Sequence, residues 1–302
     1  MLGLCVKPSI SASFESARVQ APLSTDPFHS WTRPDGRIWA GFHRWDSGYL
    51  IRFLGQGDFF ISADGSIVRC WPVPDAMPEA IQHLYSNQIV PLALSRRQKL
   101  ILHGSAVSVN GFAIAFVGAS GKGKSTLAAS FSKSGGALLT DDSLLLQRNG
   151  SAVWYLLPGH PSIRLWPDSA DALMANELPE RDSHPETAKR SFVGRDTIQF
   201  CKQPLRLGYI FLLGDSDVTE PVIAAMRPGD AAVELVKNSF LLYAGESQTL
   251  QRHFEDVCGV IQLLGAYRLD YPRRFDDLPR VREAVMAHVC DRWPQFSAEV
   301  KP

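Results

Sequence analysis

The sequence predicts an α/β protein with a mixed sheet, preceded by a smaller β-rich region. Three observations carry this expectation. Short aromatic and β-branched runs, broken by Ser-Gly, Gly-Asp and Asp-Gly, fill much of the stretch 31–95. An apolar run, FAIAFVG, leads directly into a Gly-rich loop that opens a helix. Apolar strands then mix with helical stretches up to about residue 290.

In chain order, residues 1–30 are rich in Ser, Ala and Pro without a clear period and read as a loose lead-in. Residues 31–95 read as a small β-rich domain, with ADGS (Ala63–Ser66) its clearest turn and PEAIQHLYSNQIVPLALSRR a helical bridge. A larger domain spans 96–292. Its first hairpin turns on Asn110-Gly111, and its next helix starts at about Lys124 and stops at Gly135-Gly136. ALLT is a buried strand, SLLLQRNGSAVWYLL a hairpin turning on Asn149-Gly150, and RLGYIFLLG another strand. Helices are expected near 231–243, 247–264 and 278–289. Asp230 and Asp277 sit where N-caps belong, and Pro279 suits a first turn. Residues 293–302 form a tail.

Lys plus Arg and Asp plus Glu both count 31 in the 302 residues, so the chain lacks the basic surplus of a nucleic-acid or anionic-membrane binder. Its five cysteines are scattered and show no C-x-x-C spacing, which fits neither a disulfide framework nor a structural zinc site. The first residues, MLGLCVKPSI, lack the pattern of a secretory signal, and no apolar stretch is long enough to span a bilayer. A cytoplasmic protein is expected, with homo-oligomerisation left open.

Residues Gly118, Ala119, Ser120, Gly121, Lys122, Gly123, Lys124, Ser125 and Thr126 fit and extend the pattern G-x-x-x-x-G-K-[ST]. Glycines let consecutive N–H groups turn inward on an anion, and the new helix adds its N-terminal dipole. Lys124 would reach the β and γ phosphates of ATP, and the Ser125 hydroxyl would ligate Mg²⁺. Lys122 has no evident task beyond the edge of the phosphates or solvent.

Asp141 and Asp142 close the strand ALLT at the edge where such sheets hold ligands. Neighbours on extended backbone point opposite ways, so the pair suits two tasks. One carboxylate would hold Mg²⁺ beside Ser125, and the other would accept the proton of an attacking hydroxyl. The alternative is a polar turn between strands.

LHGSAVSVNGFAIAFVGASGKGKSTLA followed by GGALLTDDSLLL resembles the catalytic domain of the HPr kinase/phosphorylase family, whose core is similar to ATP-dependent phosphoenolpyruvate carboxykinase. Through PSIRLWPDS and MRPGDAAVELVKNSF the likeness is closer to HPr-kinase-like enzymes of lasso-peptide and other modified-peptide pathways, which phosphorylate a serine of a precursor peptide. The resemblance spans roughly residues 95–290. It implies a P-loop kinase domain, with Asp141 as general base, Asp142 on the metal side, His103 near the first aspartate and Arg164 near the transferred phosphate. It also implies a peptide or small-protein acceptor. Lys189-Arg190 read either as phosphate or acceptor contacts or as a solvated basic pair. Ser162 stands where the HPr enzymes carry an acidic residue, and their basic Gly-containing loop is not found. Two other readings stay open: a nucleotide-gated binding module, and a small-molecule kinase or carboxykinase relative.

Overall fold

The computed structural model describes residues 10–33, 35–150, 153–175, 179, 189–193, 198–242 and 245–297, with side chains up to residue 290. The chain divides into two compact units. The first runs to Lys99 and takes in Phe240–Gly245, and the second holds Leu100–Ser239 and the chain from Glu246 onward.

In the first unit, β1 (Ser11–Phe14), β2 (His29–Thr32), β3 (Ile38–Trp45), β4 (Gly48–Phe53), β5 (Gly57–Ser62) and β6 (Ile67–Pro72) form one sheet, in the order β1-β6-β5-β4-β3-β2. The stretch expected to be loose therefore contributes an edge strand, β1, which pairs parallel to β6. The ADGS turn joins β5 to β6. Gly65 takes φ +70°, and the Asp64 carboxylate accepts hydrogen bonds from the Ser62 and Ser66 hydroxyls. The helical bridge is α1 (Pro78–Leu84) and α2 (Val90–Arg96), joined by a π-helical turn, Tyr85–Ile89. Pro91 has no N–H to continue an ordinary helical ladder, and the wider turn falls just before it.

The second unit continues with β7 (Leu100–Val109), β8 (Phe112–Val117), α3 (Lys124–Ser132), β9 (Ala137–Thr140), β10 (Ser143–Asn149), β11 (Val153–Leu156), β12 (Ser162–Leu165), α4 (Pro167–Leu173) and β13 (Arg190–Val193). After these come β14 (Leu205–Leu213), β15 (Val222–Ala225), α5 (Pro228–Lys237), α6 (Ser247–Leu264), β16 (Tyr267–Asp270) and α7 (Leu278–Ser297). The main sheet runs β11-β10-β7-β8-β14-β16-β15, with β9 also on β7 and with β8, β14 and β16 mutually parallel. It is a mixed α/β fold, and β12 and β13 form a separate two-stranded ribbon. Asn110 and Gly111, both at positive φ, make the β7–β8 turn. The second turn residue expected in the β10–β11 hairpin is Gly150, and residues 151–152 after it lie outside the described chain.

Strand alternation decides what each face buries. Ile114, Phe116, Tyr209 and Phe211 pack with Leu127 and Phe131 of α3 and with Val281 and Val285 of α7. Ala113, Ala115, Ile210 and Leu212 pack with Leu235 of α5 and with Val257, Val260 and Ile261 of α6. Helices thus cover both faces and leave the strand ends to carry the polar groups. α5 starts earlier than expected because Pro228 sets its first turn, and Asp230 lies inside that turn, bonded to Arg227. α7 runs to Ser297, past the expected start of the tail. No helix among the described residues is long and apolar enough to cross a membrane.

Candidate functional site

The Gly-rich loop leaves the C-terminal end of β8 and opens α3. Gly121 and Gly123 sit at φ +82° and +84°, a region that side chains with a Cβ rarely enter. At Gly123 the packing adds a second reason, because a Cβ would come 2.4 Å from the Tyr271 hydroxyl. Tyr271 and Arg273 brace this loop. Arg273 Nη1 donates to the Lys122 carbonyl at 2.6 Å and Nη2 to the Gly214 carbonyl at 2.6 Å, with the guanidinium 4.0 Å from the Tyr271 ring centre. The Lys122 side chain turns to Asp215 instead of the loop's interior. Lys124 is buried, and its Nζ donates to the Ala119 carbonyl across the loop at 2.8 Å. Burial lowers its pKa to about 8, with Asp142 and Asp141 pulling the other way.

β9 and β10 are two halves of one path along β7: Thr140 lies opposite Ala106, and Ser143 opposite His103. The path breaks at Asp141–Asp142, where Asp142 takes φ +66°. Asp tolerates this left-handed turn better than most residues. Gly104 of β7 faces the break, and a Cβ there would meet Leu144 Cδ1 at 2.6 Å and the Phe116 carbonyl at 2.7 Å.

The bend sorts the two carboxylates. Asp141 Oδ1 accepts from the Ser105 hydroxyl at 2.5 Å and the Ser125 hydroxyl at 2.9 Å, and Oδ2 accepts from the Arg164 backbone N–H at 3.1 Å. Desolvation raises its pKa, helped by the charge of Asp142 and opposed by the Ser105 bond. Asp142, not Asp141, lines the open cavity. The resemblance implied Asp141 as base and Asp142 on the metal side; the structure sets the Asp141 carboxylate against the Ser125 hydroxyl and Asp142 at the cavity. A carboxylate with both oxygens engaged behind Ser125 is poorly placed to meet an incoming hydroxyl. The simple alternation of an extended strand fails here because the backbone is bent.

His103 serves the backbone of the bend, not the Asp141 carboxylate. Its Nδ1 lies 3.0 Å from the Asp142 carbonyl. Burial and the Lys124 charge lower its pKa to about 4, so the ring is neutral near pH 7 and Nδ1 carries the donated proton. Arg164 is buried in β12 and reaches the same cavity. That cavity, about 150 Å³, is also lined by Lys124, Ser125, Asp168 and Lys189. A second cavity of about 480 Å³ shares Gly121, Gly123, Thr126, Asp168 and Ser169 with it and continues along Tyr271, Arg273 and Phe275.

The structure thus brings His103, Ser120, Gly121, Gly123, Lys124, Ser125, Thr126, Asp142 and Arg164 around one space. Asp141 stands behind Ser125, Gly118 and Ala119 form the loop's approach, and Lys122 points away. Sequence reasoning missed Ser105, Trp166, Asp168, Tyr271 and Arg273. The only signal for Ser105 was its place two residues after His103 on a strand.

Among the described residues no group of three or more His, Cys, Asp or Glu could hold a metal ion by itself. The donors near the loop are oxygens: the Ser125 hydroxyl, the Asp141 carboxylate bonded to it, and Asp142. This set fits Mg²⁺, which keeps several waters and shares substrate phosphate oxygens instead of seeking an all-protein cage.

No family model and no curated protein matches the chain. Among solved structures the chain is similar to the Hpr(Ser) kinase/phosphatase from Coxiella burnetii, at 10% identity with a TM-score of 0.32, over 62% of this chain and 97% of that one.

Proposed function

We propose that the protein is an ATP- and Mg²⁺-dependent kinase of the P-loop, HPr-kinase-like type, transferring the γ-phosphoryl group to a serine hydroxyl of a peptide or small protein. One observation carries this reading. The Gly118–Ser125 loop opens α3 with Ser125 bonded to Asp141, while Asp142 enters the same cavity from the bend beside it. Loop N–H groups and Lys124 would hold the β and γ phosphates. Ser125 and Asp141 would hold Mg²⁺, which when bound supplies positive charge to the phosphate oxygens. The larger cavity beside the loop gives a nucleoside room and favours a nucleotide over a bare polyphosphate as donor. Asp142 would take the hydroxyl proton as the oxygen attacks phosphorus, and His103 would hold the Asp142 backbone in its left-handed turn.

The acceptor class rests on the resemblance, through PSIRLWPDS and MRPGDAAVELVKNSF, to HPr-kinase-like enzymes of modified-peptide pathways. The test incubates the full chain with γ-labelled ATP, Mg²⁺ and serine-containing peptides. Phosphoserine should form, and Asp142→Asn should slow transfer by about 10²–10⁴-fold with ATP affinity retained. Equal rates for Asp142→Asn and wild type would overturn the base assignment. Tight nucleotide binding with no transfer to any peptide or small alcohol would favour the gated binding module.

A further inference from the structure

The ribbon of β12 and β13 supplies one wall of the phosphate cavity. Its register pairs Arg164 with Ser191 and Leu165 with Arg190. One step further along that register, Trp166 meets Lys189. Side chains two apart on a strand share a face, so Arg164 and Trp166 belong together, as do Lys189 and Ser191. All three of Arg164, Trp166 and Lys189 line the cavity that holds Lys124, Ser125 and Asp142. Arg190 follows the opposite face and pairs with Asp171. The basic pair of the sequence is thus split, with one member at the site and the other in a surface ion pair.

Lys189 is held in place. Its Nζ lies 5.6 Å from the centre of the Trp166 ring, a cation–π contact. Among the described residues it has no ion pair to neutralise it. Lys189 and Lys124 line the same small cavity. The two lysines share that cavity with Asp142, and the half-exposed Trp166 packs against Lys189.

We propose that Lys189 is a further catalytic residue, contacting the phosphoryl group that is transferred; this rests on the kinase reading above. In that step the acceptor oxygen forms a bond to the γ phosphorus. The bond from γ phosphorus to the β–γ bridging oxygen breaks, its electron pair leaves with ADP, and the hydroxyl proton goes to Asp142. Negative charge on the equatorial oxygens of the moving group is met by Lys124 from the loop and by Lys189 from the ribbon.

The contact is specific to the third phosphate, and that makes it testable without the natural acceptor. Calorimetric titration of the full chain with Mg²⁺ and either AMP-PNP or ADP separates the cases, using Lys189→Ala, Lys189→Gln and Lys189→Arg. AMP-PNP affinity should fall about tenfold or more in the alanine and glutamine variants, the loss expected of a charge-assisted hydrogen bond, while ADP affinity stays within about twofold. Lys189→Arg should keep most of the AMP-PNP affinity. Equal weakening of both nucleotides would make Lys189 a structural residue and overturn the proposal, as would no change in either. A wild-type chain that binds neither nucleotide would overturn the kinase reading, and this inference with it. A wild type that binds both, with unaltered variants, would overturn only the inference.

Discussion

Two aspartate clusters, one in each unit, show opposite treatments of the same side chain. In the first unit Asp58 of β5 stands directly opposite Arg52 of β4. Its oxygens accept from Arg52 Nε and Nη2, both at 2.8 Å, from Gln20 Nε2 at 2.9 Å and from Arg18 Nη2 at 3.2 Å. Burial pushes its pKa up, but the bonds to Arg52 and Gln20 and the charges of Arg52 and Arg18 outweigh that, and the carboxyl ends below its ordinary value. In the second unit Asp141 takes its three hydrogen bonds from neutral donors and has another carboxylate next to it in sequence. Its pKa moves up. The first cluster is complete as it stands and ties the N-terminal segment to the sheet. The second is left electrostatically open, which suits a site that awaits a cation.

The largest effect expected from this contrast is at Asp58. Asp58→Ala strands Arg52, whose side chain is only 11% exposed, and should destabilise the first unit by about 3–5 kcal/mol. Urea unfolding followed by tryptophan emission, with Trp31 and Trp39 stacked in the same sheet, reads the loss. A change below about 1 kcal/mol would place the cluster with weak surface pairs.

A smaller, proton-linked effect follows at the same residue. Because the folded pKa of Asp58 lies below its unfolded value near 3.8, its contribution is fully present above that value and is lost as pH falls through the folded pKa. The gap in unfolding free energy between wild type and Asp58→Asn should therefore hold steady from neutral pH down to about 5 and narrow as the medium becomes more acid than the unfolded carboxyl. A gap that widens with acid would mean the sign is wrong.

The two clusters also differ in how far the sequence revealed them. A contiguous motif encodes its own geometry, so the Gly118–Ser125 loop, the helix after it and the strand ending in Asp141 could be read directly. Local turn chemistry gave the Asp64-Gly65 and Asn110-Gly111 hairpins, and helical period gave Ser247–Leu264 as α6. Ser105 and Asp141 are 36 residues apart and meet only because β7 pairs with both β9 and β10. Tyr271 and Arg273 reach the loop from the far side of a parallel crossover. β12 and β13 are four residues each, too short for a pattern, so Trp166 stayed out of view and Lys189 could not be told apart from Arg190. Asp141 and Asp142 do not follow simple strand alternation, because the left-handed turn at Asp142 bends the backbone between β9 and β10.

The finest test of the contrast is Asp141→Asn. An asparagine can turn its carbonyl oxygen toward the Arg164 N–H and offer its amide hydrogens to the Ser105 and Ser125 hydroxyls, which accept as well as donate. The hydrogen-bond count survives while the charge beside Asp142 disappears. Unfolding of the nucleotide-free second unit should then change by less than about 1 kcal/mol, in the stabilising direction, opposite in sign to the Asp58 variant. Nucleotide binding supplies the second half of the test. With Mg²⁺ present the same variant should bind ATP more weakly than wild type, and with Mg²⁺ chelated the two should converge. A variant that unfolds early and binds ATP normally would reverse the comparison, making Asp141 a structural carboxylate like Asp58.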